Sequence, residues 1–279
     1  MSLQFTKMHG LGNDFIVIDA INQAVALSPE TIARLADRKL GIGFDQCLII
    51  EPSQQSDTDF LYRIFNANGQ EVGQCGNGAR CIARFIQHHA LSPKNPLHVA
   101  TKTSQLMLTV NPDQSVTVDF GKPNWDPTHI PLHAQTQAEQ YFLPLPDQGS
   151  HPCYALSVGN PHAVTIVDDL SSINIQEIGE IISTHPLFPE QTNASFMKII
   201  DSSHIQLRVY ERGCGETSAC GSAAVAAAAV GRRFFHMSSK IKVDLPGGAL
   251  IVEWPSVDGS IQLTGPATFV YEGTLLTCE

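Results

Sequence analysis

Short runs of branched and aromatic apolar residues, punctuated by Gly, Pro, Asn and Asp, make up most of this chain and predict a protein built mainly of β-strands. Leu3 to Met8 and Phe15 to Asp19 form a hairpin pattern closed by His9-Gly10-Leu11-Gly12-Asn13-Asp14. Cys47 to Ile50, Phe60 to Phe65 and Leu97 to Thr101 follow as strands, and Leu106 to Val118 reads as a long hairpin turning at Asn111-Pro112-Asp113. Farther on, Ala155 to Ser157, Ala163 to Val167, Phe196 to Asp201 and Ile205 to Tyr210 are strand-like. Leu250 to Leu263 is a second long hairpin, turning around Asp258-Gly259, and Gly265 to Tyr271 is a closing strand. Helical signals are few. Pro29 to Arg38 reads as a helix capped by Ser28 with Glu30 in its first turn; the others are Gly78 to His88, Ile175 to Ser183 and a helix that follows Cys220 and runs to Val230.

That last helix carries an architectural clue. From Ala223 to Val230 every residue is small and apolar, so no face of the helix suits water and all of it must be surrounded by protein. Strands wrapped around it would do this. The pattern also repeats: Gly12-Asn13 recurs as Gly159-Asn160 and Gln46 as Asn193, each 147 positions on. Ile64-Phe65-Asn66 recurs as Val209-Tyr210-Glu211 and Cys75 as Cys220, each 145 positions on, and the long hairpin occurs twice in the same order. One unit used twice explains the set. The expected fold is α+β, with two pseudo-symmetric halves, each a mostly antiparallel, barrel-like sheet wrapped around a central α-helix. The first half covers residues 1–119, with 266–279 returning to it as a strand, and the second covers 120–265.

The two cysteines mark where chemistry would sit. Cys75 in Gln74-Cys75-Gly76-Asn77-Gly78-Ala79-Arg80 and Cys220 in Ala219-Cys220-Gly221-Ser222-Ala223-Ala224 each lead from a Gly-rich turn into a helix. A helix N-terminus presents unpaired N–H groups and positive potential, which favour a thiolate and an anionic ligand. Two thiols on equivalent elements of a duplicated scaffold suit a nearly symmetric reaction, the inversion of a stereocentre by proton removal from one face and delivery to the other. A thiol of pKa about 8.5 can serve in either role near neutrality. A helix dipole is worth only about 0.3–1 kcal/mol at an exposed site, so most of the catalysis must come from stabilising charge that develops on a substrate carboxylate. The N–H groups of Gly76, Asn77, Gly221 and Ser222 are the candidate donors, at roughly 2.7–4 kcal/mol each where such donors have been measured.

Composition narrows the class. With 279 residues and 43% hydrophobic content the chain can bury a large core, and a formal net charge of −10 with no basic stripe argues against nucleic-acid and acidic-membrane partners. Arg232-Arg233 is the one adjacent pair of arginines and reads as a solvated helix end; His88-His89 reads the same way. Cys47, Cys75, Cys81, Cys153, Cys214, Cys220 and Cys278 are odd in number and irregular in spacing, and the opening Met1-Ser2-Leu3-Gln4-Phe5-Thr6-Lys7 has no secretory pattern, so the thiols are expected to be reduced and the protein cytoplasmic. Cys81 is expected to be a buried helix residue; Cys47, Cys153 and Cys278 carry no motif. Cys75/Cys81 and Cys214/Cys220 form two C-x5-C pairs, a wider spacing than the two to four residues usual at zinc sites, and no metal is expected.

With these residues in view the chain resembles the diaminopimelate epimerases. His9-Gly10-Leu11-Gly12-Asn13-Asp14-Phe15, Phe65-Asn66-Ala67-Asn68-Gly69, the segments around Cys75 and Cys220, Gly159-Asn160-Pro161-His162 and Glu211-Arg212-Gly213-Cys214-Gly215-Glu216-Thr217-Ser218 match its signatures in order. The resemblance implies epimerisation of LL- to meso-2,6-diaminopimelate without pyridoxal phosphate or any other cofactor, on the route to lysine and peptidoglycan precursors. It also implies a small amino-acid substrate as the only ligand, and a homodimer. Cys75 and Cys220 would alternate as base and acid. Asn13 and Glu211 would hold the ammonium group at the reacting centre; Asn66, Asn160, Asn193 and Arg212 the distant amino-acid end, which suits a guanidinium able to grip both carboxylate oxygens. Gln46 would line the pocket and His162 would help set thiol protonation. Two departures stand out: Cys214, where a small residue such as alanine is expected, and Asn68, where aspartate is expected.

Overall fold

The computed structural model describes residues 2–73, 75–145 and 149–275; Gln74 and Cys278 lie outside the described residues. Contacts divide the chain into one unit of Met1–Val118 with Gly265–Glu279 and a second of Asp119–Thr264. The fold is mixed α+β, as expected.

The first unit contains β1 (Leu3–Gly10), β2 (Asn13–Asp19), α1 (Pro29–Ala36), β3 (Gln46–Pro52), β4 (Phe60–Asn66), β5 (Glu71–Val72), α2 (Gly76–His88), β6 (Leu97–Ala100), β7 (Gln105–Val110) and β8 (Val116–Asp119). In the second unit are β9 (Tyr141–Leu145), β10 (Gly149–Ser157), β11 (Pro161–Ile166), α3 (Ile175–Ser183), β12 (Asn193–Asp201), β13 (His204–Glu211), β14 (Gly215–Thr217), α4 (Gly221–Phe234), β15 (Lys240–Leu245), β16 (Gly248–Glu253) and β17 (Gln262–Gly265). The last strand, β18 (Thr268–Leu275), pairs antiparallel with β1 in the first unit.

The repeat visible in the sequence is a repeat of topology. β1 and β2 pair antiparallel, β2 and β3 parallel, β3 and β4 antiparallel, β4 and β6 parallel, and β6 and β7 antiparallel. β10, β11, β12, β13, β15 and β16 follow the same alternation. Even the register agrees. Phe15 lies opposite Gln46 in the β2–β3 pair and His162 lies opposite Asn193 in the β11–β12 pair, so the offset of 147 carries Phe15 to His162 as well as Asn13 to Asn160.

Each parallel pair needs a crossover, and each sheet is therefore covered on two faces. α1 supplies Ile32, Leu35 and Ala36 to a core with Ile16, Ile18, Cys47 and Ile49, while the alternate positions Phe15, Val17, Leu48 and Ile50, also buried, face the other way. α2 packs there, against β1, β2, β3 and β7. In the second unit α3 packs on one face through Ile175 and Ile182, and α4 packs against β10, β11, β12, β13, β15 and β16. Ala223 to Gly231 are all buried. Side chains this small let strands approach the helix closely, which is why its sequence has no polar face.

Element ends moved for identifiable reasons. α1 stops at Ala36 rather than Arg38 because Asp37 leaves the helical region and its carboxylate accepts the N–H groups of Lys39 and Leu40 at 2.7 Å each. α2 starts two residues earlier than expected. α4 runs one turn past Val230, where Arg233 lies 4.5 Å over the Trp125 ring and Arg232 lies 6.0 Å over Trp254; the pair is aromatic-packed rather than simply solvated. β5, β9, β14 and β15 were not expected. β5 and β14 are too short to carry a pattern, and β9 contains Pro144, which argues against a strand except at an edge. The hairpin at Leu250 to Leu263 is the β16–β17 pair. The opening hairpin closes through Leu11 and Gly12, both at positive φ (56° and 88°), the backbone that two-residue hairpin loops need.

The packing of α4 generates a prediction. Ala226→Leu adds volume where all surroundings are protein, and is expected to cost about 1–3 kcal/mol of stability, read as a lower urea midpoint; an unchanged midpoint would mean the strands stand off the helix.

Candidate active site

Cys75 occupies the N-cap of α2. Its backbone is extended (φ −150°, ψ 108°), its carbonyl accepts the first intrahelical bond from Ala79 N–H, and its sulfur accepts the N–H of Gly78 at 3.3 Å. Gly78 keeps this turn close to its neighbours: a Cβ would stand 3.2 Å from both Leu48 and the Tyr62 hydroxyl, a tight contact. That hydroxyl in turn donates to the Cys75 carbonyl at 2.8 Å. The N–H groups of Gly76 and Asn77 lie ahead of the first intrahelical bond, as an anion site at a helix end requires.

Asn13, just past the β1–β2 turn, reaches the same place. Its Oδ1 lies 3.9 Å from the Cys75 sulfur and accepts from Asn77 Nδ2 at 3.2 Å, while its Nδ2 donates to Asp45 at 2.9 Å. Asp45 Oδ1 meets Arg38 at 2.7 Å, and Arg38 also grips Asp14. Lys7 completes this cluster, 2.5 Å from Asp14 and donating to the Gly43 carbonyl. The two cations together hold the Asp14 carboxyl at about 2, against the opposing effect of burial. Gln46 and Asn66 face each other across β3–β4, Gln46 Nε2 donating to Asn66 Oδ1 at 2.9 Å, which leaves the buried Gln46 Oε1 without a partner.

In the second unit Cys220 takes the same N-cap position on α4, with φ −126°, ψ 115° and its carbonyl accepting from Ala224 N–H. Gly221 and Ser222 form the first turn. Cys220 is only 5% exposed, and burial, helped by the charge of Glu211, pushes its thiol well above the ordinary range. Ser222 Oγ lies 3.5 Å from the sulfur and accepts from Asn160 Nδ2 at 3.3 Å, while Asn160 Oδ1 meets His162 Nε2 at 3.0 Å. With Nδ2 given to Ser222, Asn160 presents an acceptor to His162, so Nε2 carries the imidazole proton and the serine hydroxyl hydrogen is left to point at sulfur.

Glu211, at the end of β13, accepts from Thr217 Oγ1 at 2.5 Å. Asn193 binds backbone on both sides, accepting from Arg212 N–H at 3.0 Å and donating to the Pro161 carbonyl at 3.1 Å, and the exposed Arg212 guanidinium donates to the Glu190 carbonyl at 2.8 Å. The first unit thus gathers Asn13, Gly76 and Asn77 around Cys75, with Gln46 and Asn66 paired on adjacent strands. The second gathers Asn160, Ser222 and Glu211 around Cys220, with His162 behind Asn160 and Arg212 bonded to Asn193. Tyr62, Arg80, Asp45 and Thr217 support these side chains and were not singled out for it; Arg80 stands in the quoted motif, but nothing in a linear motif shows where a guanidinium goes.

The departures fit locally. Asn68 accepts the N–H of Gln70 at 2.9 Å, the bond an aspartate would make, and Cys214 is an exposed turn residue between Gly213 and Gly215, both at positive φ. Cys81, Cys47 and Cys153 are buried reduced thiols. Among the described residues, the one cluster with metal-ligand spacing is His88, His89 and Glu272; no cysteine belongs to it.

His162 is fully buried, its Nδ1 has no partner, and burial followed by the Arg212 charge lowers its pKa from 6.5 to about 3. The unfolded chain therefore takes up a proton that the folded one refuses, so this group's contribution to stability is complete above pH 6.5 and is lost as pH falls toward 3. Between pH 7.5 and 5.0 the wild type should lose about 1–2 kcal/mol more than His162→Phe, the residue found at the equivalent Phe15. Equal losses in urea unfolding would contradict a neutral buried imidazole.

Comparison with known proteins follows the same residues. Positions 5–126 and 154–270 match the family profile described as Diaminopimelate epimerase. The chain is 57% identical over 277 residues to the diaminopimelate epimerase of Legionella pneumophila (strain Philadelphia 1), covering 99% of this chain and 100% of that one, and 57% identical over the same length to that of strain Corby. Among solved structures it is similar to a hydroxyproline epimerase from Agrobacterium vitis (TM-score 0.71, 12% identity, 98% of this chain and 92% of the other). It is also similar to a phenazine biosynthesis protein of the PhzF family from Bacillus anthracis (TM-score 0.66, 16% identity, 99% and 100%). These two share the fold. Matched along both units by the family profile, and over its length by relatives at more than half identity, the chain belongs to the diaminopimelate epimerase family and is an isomerase.

Proposed function

We propose that the protein interconverts LL- and meso-2,6-diaminopimelate by a two-thiol mechanism without a cofactor, in the synthesis of lysine and peptidoglycan precursors. The observation that carries this reading is the placement of Cys75 and Cys220 at the N-caps of equivalent helices in a duplicated fold. One cysteine, as thiolate, takes the α-hydrogen as a proton; the C–H electron pair passes into the carboxylate as an enediolate; the other cysteine, as thiol, delivers its proton to the opposite face. The product leaves the two sulfurs with protonation states exchanged, ready for the reverse direction.

The rest of the proposed machinery addresses the enediolate and the substrate's charges. N–H groups of Gly76, Asn77, Gly221 and Ser222 stabilise negative charge on the carboxylate. Asn13 and Glu211 accept from the ammonium at the reacting centre. Asn66, Asn160, Asn193 and Arg212 bind the second amino-acid end, with Gln46 lining the pocket, and the requirement for that end separates this reading from a racemase of a smaller amino acid. His162 acts by orienting Asn160, since an imidazole that stays neutral down to about pH 3 cannot supply a proton at neutrality. The reading places the enzyme in the cytoplasm, where buried thiols such as Cys47, Cys81 and Cys153 stay reduced, and as a homodimer. No helix of the described residues is long and apolar enough to cross a membrane.

The deciding experiment incubates reduced protein with LL-2,6-diaminopimelate in D2O without pyridoxal phosphate. Meso product carrying solvent deuterium, while recovered LL substrate is still protiated, is the expected result; exchange without inversion would point to one working base, and no exchange would sink the reading. Cys75→Ser and Cys220→Ser should each lower kcat/KM on the order of 10²–10⁴-fold or more while the far-UV circular dichroism is unchanged. Near-normal turnover in either variant would remove that thiol from the mechanism.

A further inference from the structure

Arg80 is the fully buried charge among the described residues of the first unit. Its side chain is 0% exposed, yet its hydrogen-bond acceptors are the Asn77 amide oxygen at 2.8 Å, the Pro266 carbonyl at 3.1 Å and the Gly76 carbonyl at 3.3 Å; none is a carboxylate. Gly10 leaves the space for it, since a Cβ there would come within 3.1 Å of Nη2. A guanidinium stays protonated in proteins, so this one adds a full positive charge, hardly screened, beneath the first turn of α2. Cys75 and Cys81 are the groups whose anionic forms it favours.

Arg80 also terminates a line of oriented amides. Asp45 accepts from Asn13, Asn13 from Asn77, and Asn77 from Arg80, at 2.9, 3.2 and 2.8 Å. Each amide's orientation is set by the next, and the guanidinium sets the last. Among the described residues the second unit has no such cation: the equivalent of Arg80, five residues after Cys220, is Val225, fully buried, and the charge beside Cys220 is the Glu211 carboxylate.

We propose that Arg80 is a positioning residue that charges Cys75, holding it as the thiolate in the resting enzyme and orienting Asn13 and Asn77 around it, while Cys220 rests as the thiol. The proposal rests on the two-thiol reading and supplies what that reading lacks, a physical reason for opposite protonation states at two similar N-caps. The Gly78 N–H on sulfur acts in the same direction as the guanidinium. The contact to Asn13 Oδ1 opposes it, at the longer 3.9 Å and with that oxygen already engaged by Asn77.

Other titratable groups around α2 do not replace Arg80. Tyr62 on β4 is held neutral by burial, Cys81 is pushed up to about 12, and Cys47 on β3 is raised by burial. Lys7 on β1 pairs with Asp14 on β2, and Arg84 donates to the Gln114 carbonyl. His9 on β1 and Asp19 on β2 belong to the strands α2 packs on, and Glu272 on β18 meets His88 and His89 at the far end of the helix.

The test is the pH–rate profile for alkylation of Cys75 by iodoacetamide, resolved from the other cysteines by peptide mass spectrometry and needing no substrate. In the wild type the midpoint should lie below the free-thiol value of about 8.5. Arg80→Gln should raise it by about one unit or more, the scale of an opposite charge within a few ångström, and Arg80→Lys should hold it near the wild-type value. Asn77→Asp, which sets a carboxylate against the guanidinium without opening a cavity, should raise it too, and decides the matter if Arg80→Gln does not fold. An unmoved midpoint in Arg80→Gln, or in Asn77→Asp should the first not fold, overturns the proposal, as does a shift in Arg80→Lys equal to that in Arg80→Gln. Failure of the two-thiol reading would appear separately, in the wild type's exchange in D2O.

Discussion

The site depends on one constraint, a helix whose N-terminus is held inside protein. A helix end in water has its free N–H groups solvated and its dipole screened. Here α2 and α4 are enclosed by strands along most of their length, and α4 has so little side-chain volume that its backbone lies close to the sheet. The N–H groups of each first turn must then find partners at the open end. A cysteine at the N-cap offers a sulfur to one of them, as Cys75 does to Gly78. The small-residue helix, the Gly-rich turn before it and the thiol answer the same requirement.

Duplication supplies two such ends, and the differences between the copies give them different chemistry. At equivalent registers the first unit has Phe15, Asn66 and Arg80, and the second has His162, Glu211 and Val225. One copy sets a buried cation beside its thiol and the other sets a carboxylate there. In the proposed two-thiol reaction, inversion needs one sulfur charged and one protonated at the start of each turnover. A perfectly symmetric pair would have both states equally populated, so under that proposal it is divergence at a few positions that resolves the protonation pattern.

Much of this was legible in the chain. The alanine run after Cys220 could only be an enclosed helix, the 145-residue repeat exposed the two-unit organisation, and Ser28, Pro29 and Glu30 set the start of α1. Less legible were elements whose reasons are not local. β5 and β14 exist because a neighbouring strand offers hydrogen bonds to two or three residues. β15 pairs parallel with β13, a partner on the far side of α4 in sequence. The end of α4 is held by rings at Trp125 and Trp254, and no local pattern announces them.

The sequence by itself determined the longer elements, the repeat and which residue types stand at each helix start, because periodicity, capping and small-residue runs are properties of neighbours along the chain. Only the tertiary structure decided what each thiol experiences. The carbonyl that grips Arg80 belongs to Pro266, 186 positions away, and the amide that reaches the Ser222 hydroxyl beside Cys220 belongs to Asn160, 62 positions before that serine. Protonation depends on charges and dipoles within a few ångström and on the exclusion of water, and folding alone brings those groups together.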